Sequence, residues 1–228
     1  EQHHPALADH VIFLYMDGGP SQMDTFDPKP RLAKEHGQPI KTKVAPTQFN
    51  DVGKVLQSPW KFKQYGQSGI PVSDLFPNVA KHVDDLCIIR SLYTEAINHD
   101  PALTFFQTGA QQGNRPSMGS WVSYGLGTEN KNLPAFCVLL SRGKGNGQGV
   151  YSKLWSNGFL DSIHQGVQFS SGENPILYLQ DPDGMDREAR RKMLDKVAAL
   201  NEIQLKNFGD PEIATKIQQY EMAYRMQT

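Results

Sequence analysis

Val11-Ile12-Phe13-Leu14-Tyr15-Met16-Asp17-Gly18-Gly19-Pro20 is the stretch on which the fold reading turns. A continuous apolar run without polar alternation suits a strand buried on both faces, as in a parallel sheet covered by helices on either side. Gly18-Gly19-Pro20 then forces a turn at the run's C-terminal end. The reading predicts a strand from His10 to Met16 with Asp17 at its carboxyl end. Open α/β sheets bind their ligands at that edge.

Working outward, residues 26–69 are rich in Pro, Lys, Gln and Gly and show little periodicity, which predicts an irregular excursion with a short helix near Arg31 to Glu35. Phe76, Val79, Ala80 and Val83 then recur at helical spacing in a helix opening at Ser73 or Pro77, and a strand is expected from Leu86 to Ser91. In Asn98-His99-Asp100-Pro101, Asp100 reads as the N-cap and Pro101 as the first helical residue, with Thr108-Gly109 as the stop. Ser117 is expected to cap the next helix, with Met118, Trp121 and Val122 on its inner face. Leu133 to Ser141 reads as a buried strand, and Ile176 to Leu179 as a short one.

Residues 186–228 are expected to be helical. One helix from Asp186 to Asn207 would bury Leu194, Val197, Ala198 and Ile203 and stop at Gly209. A second, opened by Asp210-Pro211, would bury Ile213, Ile217, Tyr220 and Tyr224, and it shows no stop signal at Thr228, so more chain is expected to follow. Apolar runs alternating with helical stretches predict an α/β fold, a largely parallel sheet flanked by helices.

Composition narrows the function classes. With 38% hydrophobic residues, the 228-residue chain can bury a substantial core. Lys plus Arg (23) nearly balance Asp plus Glu (24), and the basic residues are scattered singly, which argues against nucleic acid as a partner. No apolar run approaches the ~20 residues that a transmembrane helix needs. Cys87 and Cys137 lie in apolar runs and are expected to be buried, inert thiols. The glycine-rich stretch Arg142 to Gly149 lacks the Gly-Lys-Ser/Thr ending of a phosphate loop.

Two groups of residues can carry chemistry. Asp17 ends the first predicted strand and Asp24 follows in Gln22-Met23-Asp24-Thr25-Phe26-Asp27-Pro28. Carboxylates so placed can hold a divalent cation, and they can equally cap turns. At Asn98-His99-Asp100, a helix start offers free N–H groups and a positive dipole end to an anion. His99 there could be a ligand, an acid–base group or a nucleophile; hydrogen bonding in a loop beside a capping Asp100 explains it as well. Arg115 could grip an anion bidentately, or simply form a surface ion pair.

Taken together, Met16 to Pro30, Ser58-Pro59-Trp60-Lys61-Phe62, Asn98 to Pro101, Arg115 to Trp121 and Gln219 to Met226 resemble the "domain of unknown function 1501" family over essentially the whole chain. That family is grouped with the alkaline phosphatases and sulfatases. The resemblance implies that residues 1–228 are the N-terminal part of a single alkaline-phosphatase-like domain, incomplete at the C-terminus. It implies an exported protein (periplasmic, cell-surface or secreted) that hydrolyses phosphate or sulfate esters, a sulfated glycan among them. Asp17 and Asp24 would hold a divalent metal (Zn, Ca, Mg or Mn), His99 and Asp100 would be catalytic, and Asn98 and Arg115 would bind the anion. The superfamily's Asp-His cluster would lie in the missing C-terminal half. Aligned on Thr108-Gly109, the sulfatase nucleophile falls on His99, its motif's Pro on Pro101 and its Arg on Leu103. No Ser, Thr or Cys stands at 98–100. The alternative is therefore a non-catalytic surface or glycan-binding protein on the same scaffold.

Overall fold

The computed structural model describes residues 5, 8–16, 18–44, 51–96, 98–140, 152–170, 175, 176 and 180–227. The chain divides into two units, Glu1–Ile97 and Asn98–Thr228.

In the first unit a 3-10 turn, Gln22–Asp24, leads to a short helix α1, Pro30–Lys34, whose leading proline needs no N–H partner there. Strands β1, Phe62–Tyr65, and β2, Ile70–Ser73, form an antiparallel hairpin with Phe62 opposite Ser73 and Tyr65 opposite Ile70. The turn between them rests on Asp84, whose carboxylate accepts the backbone N–H groups of Gln67 and Ser68, each at 2.9 Å. Gly66 is required there twice over: its φ is +64°, and a Cβ would run into the Asp84 carboxylate. A 3-10 segment, Val79–Asp85, lays Ala80 and Val83 against Val72. Phe26, Tyr65, Ile70 and Phe76 close around that core, with the Phe26 and Phe76 rings stacked at 5.7 Å. A Ser73 N–H to Thr25 carbonyl bond of 2.9 Å ties the opening segment to the hairpin.

The structure departs from the sequence reading most at the apolar runs. His10 to Met16 belongs to no strand, and Ile12 and Leu14 are 83% and 84% exposed. Phe13 and Tyr15 stack at 6.1 Å, as alternate residues do on an extended backbone. Apolar sequence favours a strand only where a neighbouring backbone completes the ladder, and residues 10–16 join none among the described residues. Leu86 to Ser91 likewise forms no strand, and Ser73 ends β2 instead of opening a helix.

The second unit begins with α2, His99–Thr108, and closes it on Gly109 at φ +74°. Asn98, with extended φ and ψ, is the N-cap, so Asp100 falls inside the first turn, a shift from the predicted cap. Pro101 is tolerated there because first-turn N–H groups have no intrahelical acceptor. In α3, Met118–Leu126, Ser117 caps as expected, its hydroxyl accepting the Ser120 N–H at 3.4 Å. The buried face is polar: Ser117, Ser120 and Ser123 are enclosed while Met118 and Trp121 are exposed, the reverse of the predicted inner face. Small side chains let the helix backbone come close to residues 155–166, and Gly119 lies under the Phe136 ring.

Strands β3, Cys137–Leu139, and β4, Val167–Phe169, pair in parallel. They are the only parallel pair among the described residues, which form a mixed α and β fold with small sheets; a largely parallel sheet is not seen among them. Of the predicted 133–141 strand, Cys137–Leu139 forms β3 among the described residues, and Ser141 lies outside them. Residues 177–179 of the predicted 176–179 strand, and the 142–149 loop, lie outside the described residues. Cys87 and Cys137 are both free and exposed, correcting the buried-thiol reading.

Helices α4, Arg187–Phe208, and α5, Pro211–Met226, form an antiparallel hairpin capped by Asp186 and Asp210 and joined through Gly209 at φ +69°. Arg187 and Arg191 hold their guanidinium groups 4.5 and 4.8 Å from the centre of the Tyr224 ring. Arg191 also donates to Glu221 at 3.0 Å, and this bond lowers the Glu221 carboxyl below its ordinary pKa. Leu194 is buried as predicted, whereas Ile203 and Tyr220 are exposed. No helix among the described residues is long and apolar enough to cross a membrane.

Candidate functional site

The start of α2 is an open helix end. Asn98 makes no side-chain capping bond, and Asn98, His99 and Asp100 are all exposed. The N–H groups of His99 and Asp100 point away from the helix with no acceptor inside it, because only from Ala102 onward does an N–H reach back four residues, here to the Asn98 carbonyl at 3.1 Å. The site thus offers two backbone donors, a positive dipole end and an imidazole on one turn.

Sequence reading did not find the cation beside it. Lys153, in the 3-10 segment Ser152–Trp155, places its Nζ 2.7 Å from an Asp100 carboxylate oxygen. The contact joins residues 53 positions apart, and no local pattern around Lys153 announces it. The same segment continues to α3: the Ser117 N–H and the Ser120 hydroxyl both bond to the Ser156 carbonyl, at 2.9 and 3.0 Å. Gly158 then lies against the Arg115–Pro116 peptide so closely that no Cβ would fit. Five residue steps separate Lys153 from Gly158, so their Cα atoms are at most about 18 Å apart. One short segment therefore holds the start of α2 with its two donors, and the exposed Arg115, on a common support.

The acidic candidates separate differently. Asp17 lies outside the described residues. Asp24 is half-buried in the 3-10 turn, with its N–H bonded to the Ser21 carbonyl at 3.1 Å. Its neighbour Asp27 is a structural carboxylate, taken up by Lys29 at 2.6 Å and Arg90 at 3.9 Å. Among the described residues no three His, Cys, Asp or Glu side chains converge in a way that could hold a metal ion, so Asp24 supplies at most one ligand of a set.

Residues 8–228 match a family described as "Protein of unknown function (DUF1501)". No curated protein and no solved structure matches the chain.

Proposed function

The chain belongs to the DUF1501 family of proteins of unknown function, and we propose that it is a metal-dependent hydrolase of phosphate or sulfate esters acting outside the cytoplasm. The observation that carries the reading is the open start of α2, with two backbone donors that have no acceptor within the helix, His99 in the first turn and Lys153 alongside. The correspondence of Asp17 to the metal-binding Asp of the phosphatases and sulfatases, and of Pro101 and Thr108-Gly109 to the sulfatase motif, supports the reaction class.

In this reading the ester's anionic oxygens accept the N–H groups of His99 and Asp100. Lys153 and Arg115 offset the negative charge that these donors face. Asp100 keeps the Lys153 ammonium at the helix end by direct contact. A water attacks the phosphorus or sulfur while the His99 imidazole gives a proton to the departing alcohol oxygen, since no hydroxyl or thiol stands at 98–100 to form a covalent intermediate. Asp17 and Asp24 are the expected carboxylates for a divalent ion, which when bound would polarise the ester and lower the pKa of a water.

The test is ester hydrolysis by the intact protein with p-nitrophenyl phosphate and p-nitrophenyl sulfate. Removing a general acid costs roughly 10²–10⁴ in rate, so His99→Ala should lose that much in kcat. Lys153→Ala should act mainly through KM. Equal rates in parent and His99→Ala take His99 out of the mechanism.

A second reading, a non-catalytic glycan binder, is favoured by the rings exposed on the same unit. Trp121, Tyr124 and Phe159 are 44%, 59% and 68% exposed, and Trp121 meets Tyr124 and Phe159 edge-on at 5.9 and 5.8 Å. Saturable binding of a sulfated polysaccharide without turnover, lost in Trp121→Ala, is what that reading expects.

A further inference from the structure

We infer that the hollow between α1 and residues 57–62 is a binding site for a monocyclic aromatic anion. Met23, Leu32, Ala33, Trp60 and Phe62 line a pocket of about 190 Å³, with Lys29 on its wall. An apolar cavity of about 150 Å³ takes a single benzene ring, and drug-sized ligands need about 300 Å³ or more. The hollow therefore has room for one ring. Trp60 is positioned as a wall by its backbone, whose N–H bonds to the Ser58 hydroxyl at 3.3 Å, and its side chain stays partly open to solvent.

Charge selects the substituent. Lys29 lines the pocket and pairs with the buried Asp27 carboxylate at 2.6 Å, a carboxylate that Arg90 also approaches at 3.9 Å, so Asp27 is shared between two cations. The Lys29 side chain is 48% exposed, and an ammonium spends only one of its donors on Asp27. A carboxylate, sulfonate or phosphate on the ring's edge finds its partner there, while the ring stacks between Trp60 and the aliphatic wall. Two segments far apart in sequence, around Met23 to Ala33 and Gln57 to Phe62, build this pocket within the first unit. It shares no residue with the start of α2, so the inference stands apart from the hydrolase reading.

Benzoate and the neutral, similarly sized benzyl alcohol are the probes, titrated into the full chain and followed by protein-detected NMR. Benzoate should saturate one site whose shifted resonances centre on α1 and Trp60. Ala33→Phe, which fills the pocket from α1, should weaken benzoate at least about tenfold. Trp60→Ala should do the same and serves as the alternative if the larger side chain unfolds α1, as thermal melting would reveal. Lys29→Gln should weaken benzoate by about tenfold and leave benzyl alcohol within about twofold. Failure of benzoate to saturate the parent protein, undiminished affinity in folded Ala33→Phe or Trp60→Ala, or equal losses for both probes in Lys29→Gln would each overturn the assignment.

Discussion

Asp84 shows how much a single exposed side chain decides. Its carboxylate accepts the N–H groups of Ser68 and Gln67, and these bonds, Ser68 first, hold its pKa below the ordinary 3.8. A folded-state pKa below the unfolded value stabilises the fold above the unfolded pKa, and the contribution is lost as pH falls through the folded one. Asp84→Asn should therefore melt earlier than the parent at neutral pH, with the gap closing as pH drops below about 3.8. A gap that persists unchanged at acid pH would mean that Asp84 acts through shape and not through charge. The role of Asp84 is not legible in sequence, since its partners lie 16 and 17 residues away. The start of α2 behaves differently. Asn98-His99-Asp100-Pro101 announces a helix because capping and proline preferences act within one turn. Lys153, which completes that site with a charge, is invisible until the chain folds.

At the scale of the element, α3 separates local signals from tertiary ones. Ser117 is legible as its cap because the hydroxyl bonds within its own first turn. The buried face is not legible, because an apolar count assigns it to Met118, Trp121 and Val122, whereas the enclosed residues are Ser117, Ser120 and Ser123. Two of the serines are satisfied from outside the helix, Ser120 by the Ser156 carbonyl and Ser123 by His164 Nδ1 at 2.9 Å, and the Ser117 hydroxyl bonds to Ser120. Two glycines of this helix give opposite predictions for one substitution. Alanine gains about 1 kcal/mol over glycine in a helix interior. Gly125 has open space around it, so Gly125→Ala should raise Tm by roughly 2–4 °C. A Cβ on Gly119 meets the Phe136 ring, and overpacking costs about 1–3 kcal/mol, so Gly119→Ala should lower Tm instead. Thermal melting of the two variants by circular dichroism checks both signs.

For the whole molecule, the distribution of exposed apolar side chains is the dominant feature. Val11, Ile12 and Leu14 in the opening run, Ile89 and Leu92 after the first core, and Leu139 on the edge of β3 are all more than half exposed. Exposed apolar side chains of this kind bind apolar probes. The chain should enhance the fluorescence of an anilinonaphthalene dye at neutral pH, and Ile12→Lys with Leu14→Lys should cut that signal while shifting Tm by no more than about 2 °C, as surface changes do. A cooperative loss of structure in the double variant would show that the run is part of a core. The sequence by itself determined α2, the caps of α3, α4 and α5, and the proline and glycine positions that start and stop them, because those preferences are settled within a few residues. It also carried family membership, through motifs spread along residues 8–228. Only the tertiary structure decided which apolar runs are strands, since a ladder needs a second backbone. Only it brought Lys153 to Asp100 and Gly158 beneath Arg115 and Pro116, contacts between residues that no local pattern relates.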